Sequence, residues 1–219
     1  MNRRMTLALA LALVCPAACT GSLFKSKAVP PTIYVLSAGP VPLAAPAGDS
    51  APQPAIPLDL AILKPRLPTG LATDRIAVLY PDRRLDYFAD ARWSGPAGDV
   101  LQELAVQEFL HSRRHLRTVS GDASVFSSTY WLEIEVTDFQ AEYTPASPAP
   151  TAHVHFLARI GGSGDRRILG RFEADARQAA AENRLTAIVD AYARAAQAAL
   201  AEIAVQVDDA LANASAARP

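Results

Sequence analysis

The chain predicts an α+β fold: a single domain whose antiparallel or mixed β-sheet carries two main helices packed on one face. Three observations lead there. Tyr130 to Tyr143, "YWLEIEVTDFQAEY", alternates apolar and polar residues, the period-2 pattern of a half-buried strand. "HVHFLARI" and "RILGRFEADA" flank the turn sequence "GGSGDR" as hairpin partners. Two other segments, Pro96 to Leu110 and Glu182 to Leu211, repeat their apolar residues at helical spacing.

In chain order, "MNRRMTLALALALVCPAACTG" has Arg3 and Arg4 ahead of an unbroken Leu, Ala and Val run from Leu7 to Val14, then small residues. That is the layout of a secretory signal peptide. The run is far shorter than the ~20 apolar residues a bilayer span needs. Ala17 and Ala18 directly precede Cys19, as in a bacterial lipobox, although Pro16 stands where Leu, Val or Ile is usual. The chemistry requires a thiol: its sulfur takes a diacylglycerol, and cleavage leaves the same cysteine as the new N-terminus. Residues 1–18 are therefore expected to leave as the signal and Cys19 to carry a covalent N-acyl diacylglycerol. Cys15, the other of the two cysteines, departs with the signal. The mature chain is then expected to hold no disulfide and no thiolate metal site despite an oxidising compartment. Thr20, not Asp, follows Cys19, which points to the outer membrane and its periplasmic face.

Residues 19–31 read as a lipidated tether, 32–212 as the domain and 213–219 as a disordered tail. "TIYVL" (Thr32 to Leu36) is β-branched and aromatic and reads as a strand. Ala38 to Pro57 is rich in Pro and Ala and reads as a flexible loop. The strand before it should still join the later sheet, because an exposed Ile-Tyr-Val-Leu strand is a liability. Leu58 to Leu63 and Arg75 to Tyr80 are further strands. Pro81-Asp82 starts a turn, after which Leu85, Tyr87 and Ala89 share one face of a short strand. Pro96 to Asp99 opens the first helix, with Val100, Leu101, Leu104, Val106, Phe109 and Leu110 along its stripe. "HSRRHLR" (His111 to Arg117) is placed at its solvated C-terminal end, where cations suit the helix dipole. In the long strand the apolar set moves from even to odd numbers at Asp138, which predicts a β-bulge there. The last helix sets Leu185, Ile188, Val189, Tyr192, Ala196, Ala199, Ile203 and Val207 near one face.

The precursor's net charge is −1 and it has no polybasic tract, so nucleic-acid binding has no electrostatic footprint. Catalytic signatures are as scarce. His153 and His155 share one strand face, and Glu133 and Glu135 share a face on a probable neighbour; two His and a carboxylate suit zinc, but an exposed polar face is the plainer expectation, and no metal is assigned. His111 and His115 lack the glutamate of a His-Glu-x-x-His site. Ser163 lies in a hairpin turn, whereas a nucleophile elbow needs a strand-to-helix turn. No P-loop occurs. A metal-dependent hydrolase is thus the weakest reading and a non-enzyme the expectation. Tyr34, Tyr87, Phe88 and Trp93 have two readings: packing of helix onto sheet, or a contact surface for a partner protein or lipid tail.

The lipobox followed by "IYVLSAGP" (Ile33 to Pro40), then "PRLPTGLATDRIAVLYPDRRLDYFADARWSGPAGDVLQELAVQEF", "LEIEVTDF" (Leu132 to Phe139) and the alanine-rich last helix resemble the ABC-type transport auxiliary lipoprotein family, the PqiC-like lipoproteins. The order and spacing of these motifs carry the resemblance over nearly all of the mature chain. It implies a fold like the N-terminal domain of TolB. It also implies partners: an ABC permease, an ATPase and an MCE-domain protein that together move lipids between inner and outer membranes. ATP would be hydrolysed by a partner, and a homo-oligomer is compatible with the ring-forming MCE proteins of such systems. The expected function is a non-catalytic, outer-membrane-anchored auxiliary of intermembrane phospholipid transport. The alternative is an envelope-assembly scaffold that binds an outer-membrane barrel or a polysaccharide-export partner.

Overall fold

The computed structural model describes residues 30–37, 58–112, 116–120, 128–165 and 167–216. Its elements follow the order β1 (Thr32–Tyr34), β2 (Leu58–Ile62), β3 (Arg75–Leu79), β4 (Leu85–Trp93), α1 (Ala97–Ser112), β5 (Leu116–Ser120), β6 (Tyr130–Glu142), β7 (Thr151–Gly162), β8 (Ile168–Ala179) and α2 (Leu185–Ala216). All strands join one 8-stranded sheet. The result is the single mixed α+β domain the sequence predicts.

The sheet is organised around β6, its longest strand. One edge of β6 is taken along its whole length by β7, antiparallel, from Tyr130 opposite Gly162 to Glu142 opposite Thr151. The other edge is divided. β2 lies parallel to its first residues, with Leu60 opposite Tyr130 and Ile62 opposite Leu132. β3 lies parallel to its last, with Val78 opposite Ala141. Between them the chain stays bonded: the Arg66 N–H donates to the Ile134 carbonyl (3.0 Å) and the Val136 N–H to the Arg66 carbonyl (2.8 Å). The sheet therefore forks at β6 into a β2–β5 prong and a β3–β4–β1 prong, while β8 closes the far side against β7. Parallel pairs (β1–β4, β2–β5) and the antiparallel pairs β3–β4 and β7–β8 make it a mixed sheet.

Alternation decides which face is covered. Tyr130, Leu132, Ile134 and Val136 of β6 are buried, and after the register shift between Val136 and Asp138 the buried set continues as Phe139 and Ala141. The expected bulge is therefore present. Val154, Phe156, Ala158 and Ile160 of β7 lie on the same covered face. α2 packs over β6, β7 and β8, and α1 packs over β2 and β5 and touches α2. Buried Ala191, Ala195, Ala196 and Ala199 give α2 a surface of small side chains, which lets its backbone approach the sheet. Trp93, Phe139 and Tyr192 meet at the centre of this layer, their ring centroids 5.0 to 5.6 Å apart, in the tilted and edge-on geometries that aromatic quadrupoles favour. The buried Tyr192 hydroxyl donates to the Ala77 carbonyl, and burial pushes its phenol pKa up. Gln102 of α1 ties the helix to β2 by donating to the Ile62 carbonyl at 2.8 Å.

Two expectations need correction. The first helix ends at Ser112, and Leu116 and Arg117 belong to β5, so "HSRRHLR" is not one helix terminus. β5 forms because a parallel neighbour, β2, satisfies it at a distance in sequence. The strand expected around Leu85 to Ala89 extends to Trp93. It absorbs its extra residues in a register shift opposite Arg75 to Ala77, with Asp90 in the left-handed region at φ 52°. The signal, Cys19, most of the tether and the Ala38 to Pro57 loop lie outside the described residues.

Candidate functional site

A sheet covered by helices on one face presents the other face to solvent, and in β6, β7 and β8 this open face carries a dense polar cluster. The bulge creates it. Thr137 and Asp138 stand together against His155, the Thr137 hydroxyl lying 2.7 Å from His155 Nδ1. The phase of β6 beyond the bulge then turns Gln140 and Glu142 to the same side, and β7 and β8 add His153, Glu173, Asp175 and Arg177.

His153 is the hub. It is buried, with Nδ1 2.8 Å from Glu142 Oε1 and Nε2 3.2 Å from Asp175 Oδ2. Arg177 donates to Glu142 Oε2 at 2.6 Å, and Gln140 donates to Asp138 Oδ1 (2.8 Å) and Glu142 Oε1 (3.1 Å). His155 Nε2 reaches Glu173 Oε1 at 2.9 Å. Partial burial alone would raise the Asp138 carboxyl. The Gln140 hydrogen bond and the neighbouring histidines outweigh it and hold Asp138 below the usual carboxylate range. Glu142 behaves alike: burial pushes up, His153, Arg177 and Gln140 pull down, and the net direction is down.

Asp138, Glu142 and His153 bring one ligand atom each within 4.8 Å of one another. The two-histidine and Glu133 set weighed and set aside in the sequence is not assembled. His153 and His155 do share a face, but Glu133 sits rungs away, held by Arg159 at 2.6 Å and by Arg66. Those two guanidiniums, Arg159 foremost, depress the Glu133 carboxyl. The carboxylates beside His153 are instead Asp138, Glu142 and Asp175. Each already accepts hydrogen bonds from neighbouring side chains, so the arrangement works as an electrostatic brace across three strands. Alternation alone places His153, His155, Asp175 and Arg177 on one face; the register that joins them comes from the length of the β7–β8 turn.

The four aromatic candidates separate. Trp93 is 2% exposed in the core and has no surface with which to meet a partner; it packs helix onto sheet. Phe88 and Tyr34 are half-buried against that core. Tyr87 is half-buried, its hydroxyl donating to the Gly70 carbonyl at 2.8 Å while the Arg75 guanidinium lies 3.9 Å over its ring. Cys19 lies outside the described residues. Among those residues, no helix is long and apolar enough to cross a membrane.

Among solved structures, a Xanthomonas campestris protein of the DUF330 family superposes with a TM-score of 0.67 at 23% identity, covering 84% of this chain and 96% of that one. A second, uncharacterised protein gives 0.61 at 13% identity, covering 82% and 99%. At these identities the likeness is one of fold. Among curated proteins, no sequence matches. The family described as the ABC-type transport auxiliary lipoprotein component matches residues 34–204. That stretch takes in the last residue of β1, all of β2 to β8 and α1, and most of α2. The chain belongs to the ABC-type transport auxiliary lipoprotein family.

Proposed function

We propose that this chain is the non-catalytic, outer-membrane-anchored periplasmic member of an ABC transport system that moves phospholipid between membranes, docking onto an MCE-domain partner. One observation carries the reading: the family match over 34–204 begins a short tether downstream of a cysteine set in a lipobox. Such a chain needs no ATP site of its own, because the transporter's ATPase supplies the work.

The test is chemical crosslinking of intact membranes, followed by mild detergent extraction and mass spectrometry of what co-purifies with the tagged full-length protein. Recovery of an MCE-domain protein with a permease and ATPase is expected. Recovery of a barrel or a polysaccharide-export protein alone would replace the reading with the envelope-scaffold one. Intact mass of the same preparation should show a triacylated Cys19, and Cys19→Ala should abolish it and move the protein out of the outer-membrane fraction.

A further inference from the structure

We propose that the outer face of β1, with the arginines beside it, is the surface that rests on the phospholipid bilayer carrying the anchor. This rests on the reading of Cys19 as lipidated. Alternation sets the geometry. Tyr34 and Leu36 turn toward the core, Leu36 being only 3% exposed, whereas Ile33 and Val35 are 54% and 65% exposed. Tyr34 lies opposite Trp93, which packs on Tyr192 of α2, so the face bearing Ile33 and Val35 is the one turned away from the helices.

Two observations identify the occupant. The first is chain length. Cys19 and Thr32 are joined by a tether reaching at most about 45 Å when fully extended, at ~3.3–3.6 Å per residue. β1 is the first described element downstream of Cys19. Among the described strands it is at the sheet's edge, paired with β4. The second is charge. Register places Ile33 opposite Arg92 and Arg92 opposite Arg75, so one row across three strands reads Ile33, Arg92, Arg75. Arg92 is paired with Asp74 at 2.8 Å, and Arg75 is exposed above Tyr87. Exposed branched aliphatics flanked by arginine and tyrosine suit the headgroup zone, where apolar side chains reach the acyl boundary and guanidiniums meet phosphates. The acyl chains supply the affinity; this face fixes which way the domain points.

The anchor makes the test clean. With Cys15 removed and Cys19 acylated, a single introduced cysteine is the only free thiol. Ile33→Cys, Val35→Cys and Val205→Cys, the last at a position 56% exposed on α2, would each be labelled with an environment-sensitive fluorophore in the full-length acylated protein. Each is then reconstituted into phosphatidylethanolamine–phosphatidylglycerol vesicles containing nitroxide lipids. Labels at 33 and 35 are expected to shift blue and to be quenched at least about twofold more than the label at 205. Arg75→Glu should reduce that difference. Equal quenching at all three sites, or stronger quenching at 205, overturns the proposal. Intact mass on the same samples separates the two ideas: an unacylated chain removes the anchor reading and this proposal with it, whereas an acylated chain with equal quenching removes the proposal alone.

Discussion

Trp93 and Tyr87 sit on one strand, yet the first is fully buried in the core and the second only half-buried at its margin. Trp93→Ala should cost about 3–5 kcal/mol of unfolding free energy, the range for emptying a large aromatic site, whereas Tyr87→Phe removes one exchangeable hydrogen bond and should cost about 1 kcal/mol. Urea titrations of the two variants check the contrast. Tyr192→Phe leaves the Ala77 carbonyl without its buried donor and should cost about 1–3 kcal/mol. Charge is as local. Glu133, Asp138 and Glu142 are all held below the usual carboxylate range in the folded chain. Their contribution to stability is therefore complete above the unfolded-state carboxylate pKa and is lost as pH falls through the lower folded values. Thermal scans should show little change from neutrality down to about pH 5 and a falling midpoint below about pH 4. Glu142→Gln should make that acid limb shallower, and a limb of unchanged slope would contradict the brace described on the open face. At this scale the sequence was half legible. Period-2 spacing shows that His153 and His155 share a face. It does not show that Trp93 points inward, because that depends on how many residues the Asp90 irregularity absorbs.

Elements were more legible where their signal is local. The bulge at Asp138 could be read directly, since a register slip moves every later side chain to the other face. The β7–β8 hairpin followed from its turn, and both helices from their stripes. β5 could not be read: "LRTVS" has only Leu116 and Val119 as apolar residues, comes soon after a helix, and is stabilised by a parallel partner far back in the chain. Close approach gives a prediction here. A Cβ on Gly161 would stand 2.4 Å from the Trp131 ring, whereas one on Gly164 would meet nothing within 4 Å. Gly161→Ala should therefore cost about 1–3 kcal/mol as the indole is forced aside, and Gly164→Ala should be close to neutral, with chemical denaturation reporting both.

For the whole molecule, the fork at β6 is the feature no local pattern announces. Both prongs pair in parallel with a strand made later in the chain, and α2 must arrive from the C-terminus to cover β6, β7 and β8. Such non-local pairing sets a slow search, so refolding monitored by stopped-flow Trp fluorescence should fall in the millisecond-to-second range or slower. Fold class and element order were readable because helices and strands declare their own periods. The strand order was not, because pairing between distant segments leaves no mark in either sequence alone.

The fork also has a mechanical side. Tension applied through the N-terminal segment enters the domain at β1, a strand of three residues that pairs, among the described strands, with β4. Among the described residues it is also held by the Ser94 N–H on the Tyr34 carbonyl, and behind it stand the Leu36 side chain in the core and the Gln197 amide on the Ser37 carbonyl. Under load this strand would peel first, adding slack while the β6–β7–β8 ladder and α2 stay intact. A chain pulled from that end thus carries its own shock absorber, and the work of yielding falls on its smallest element.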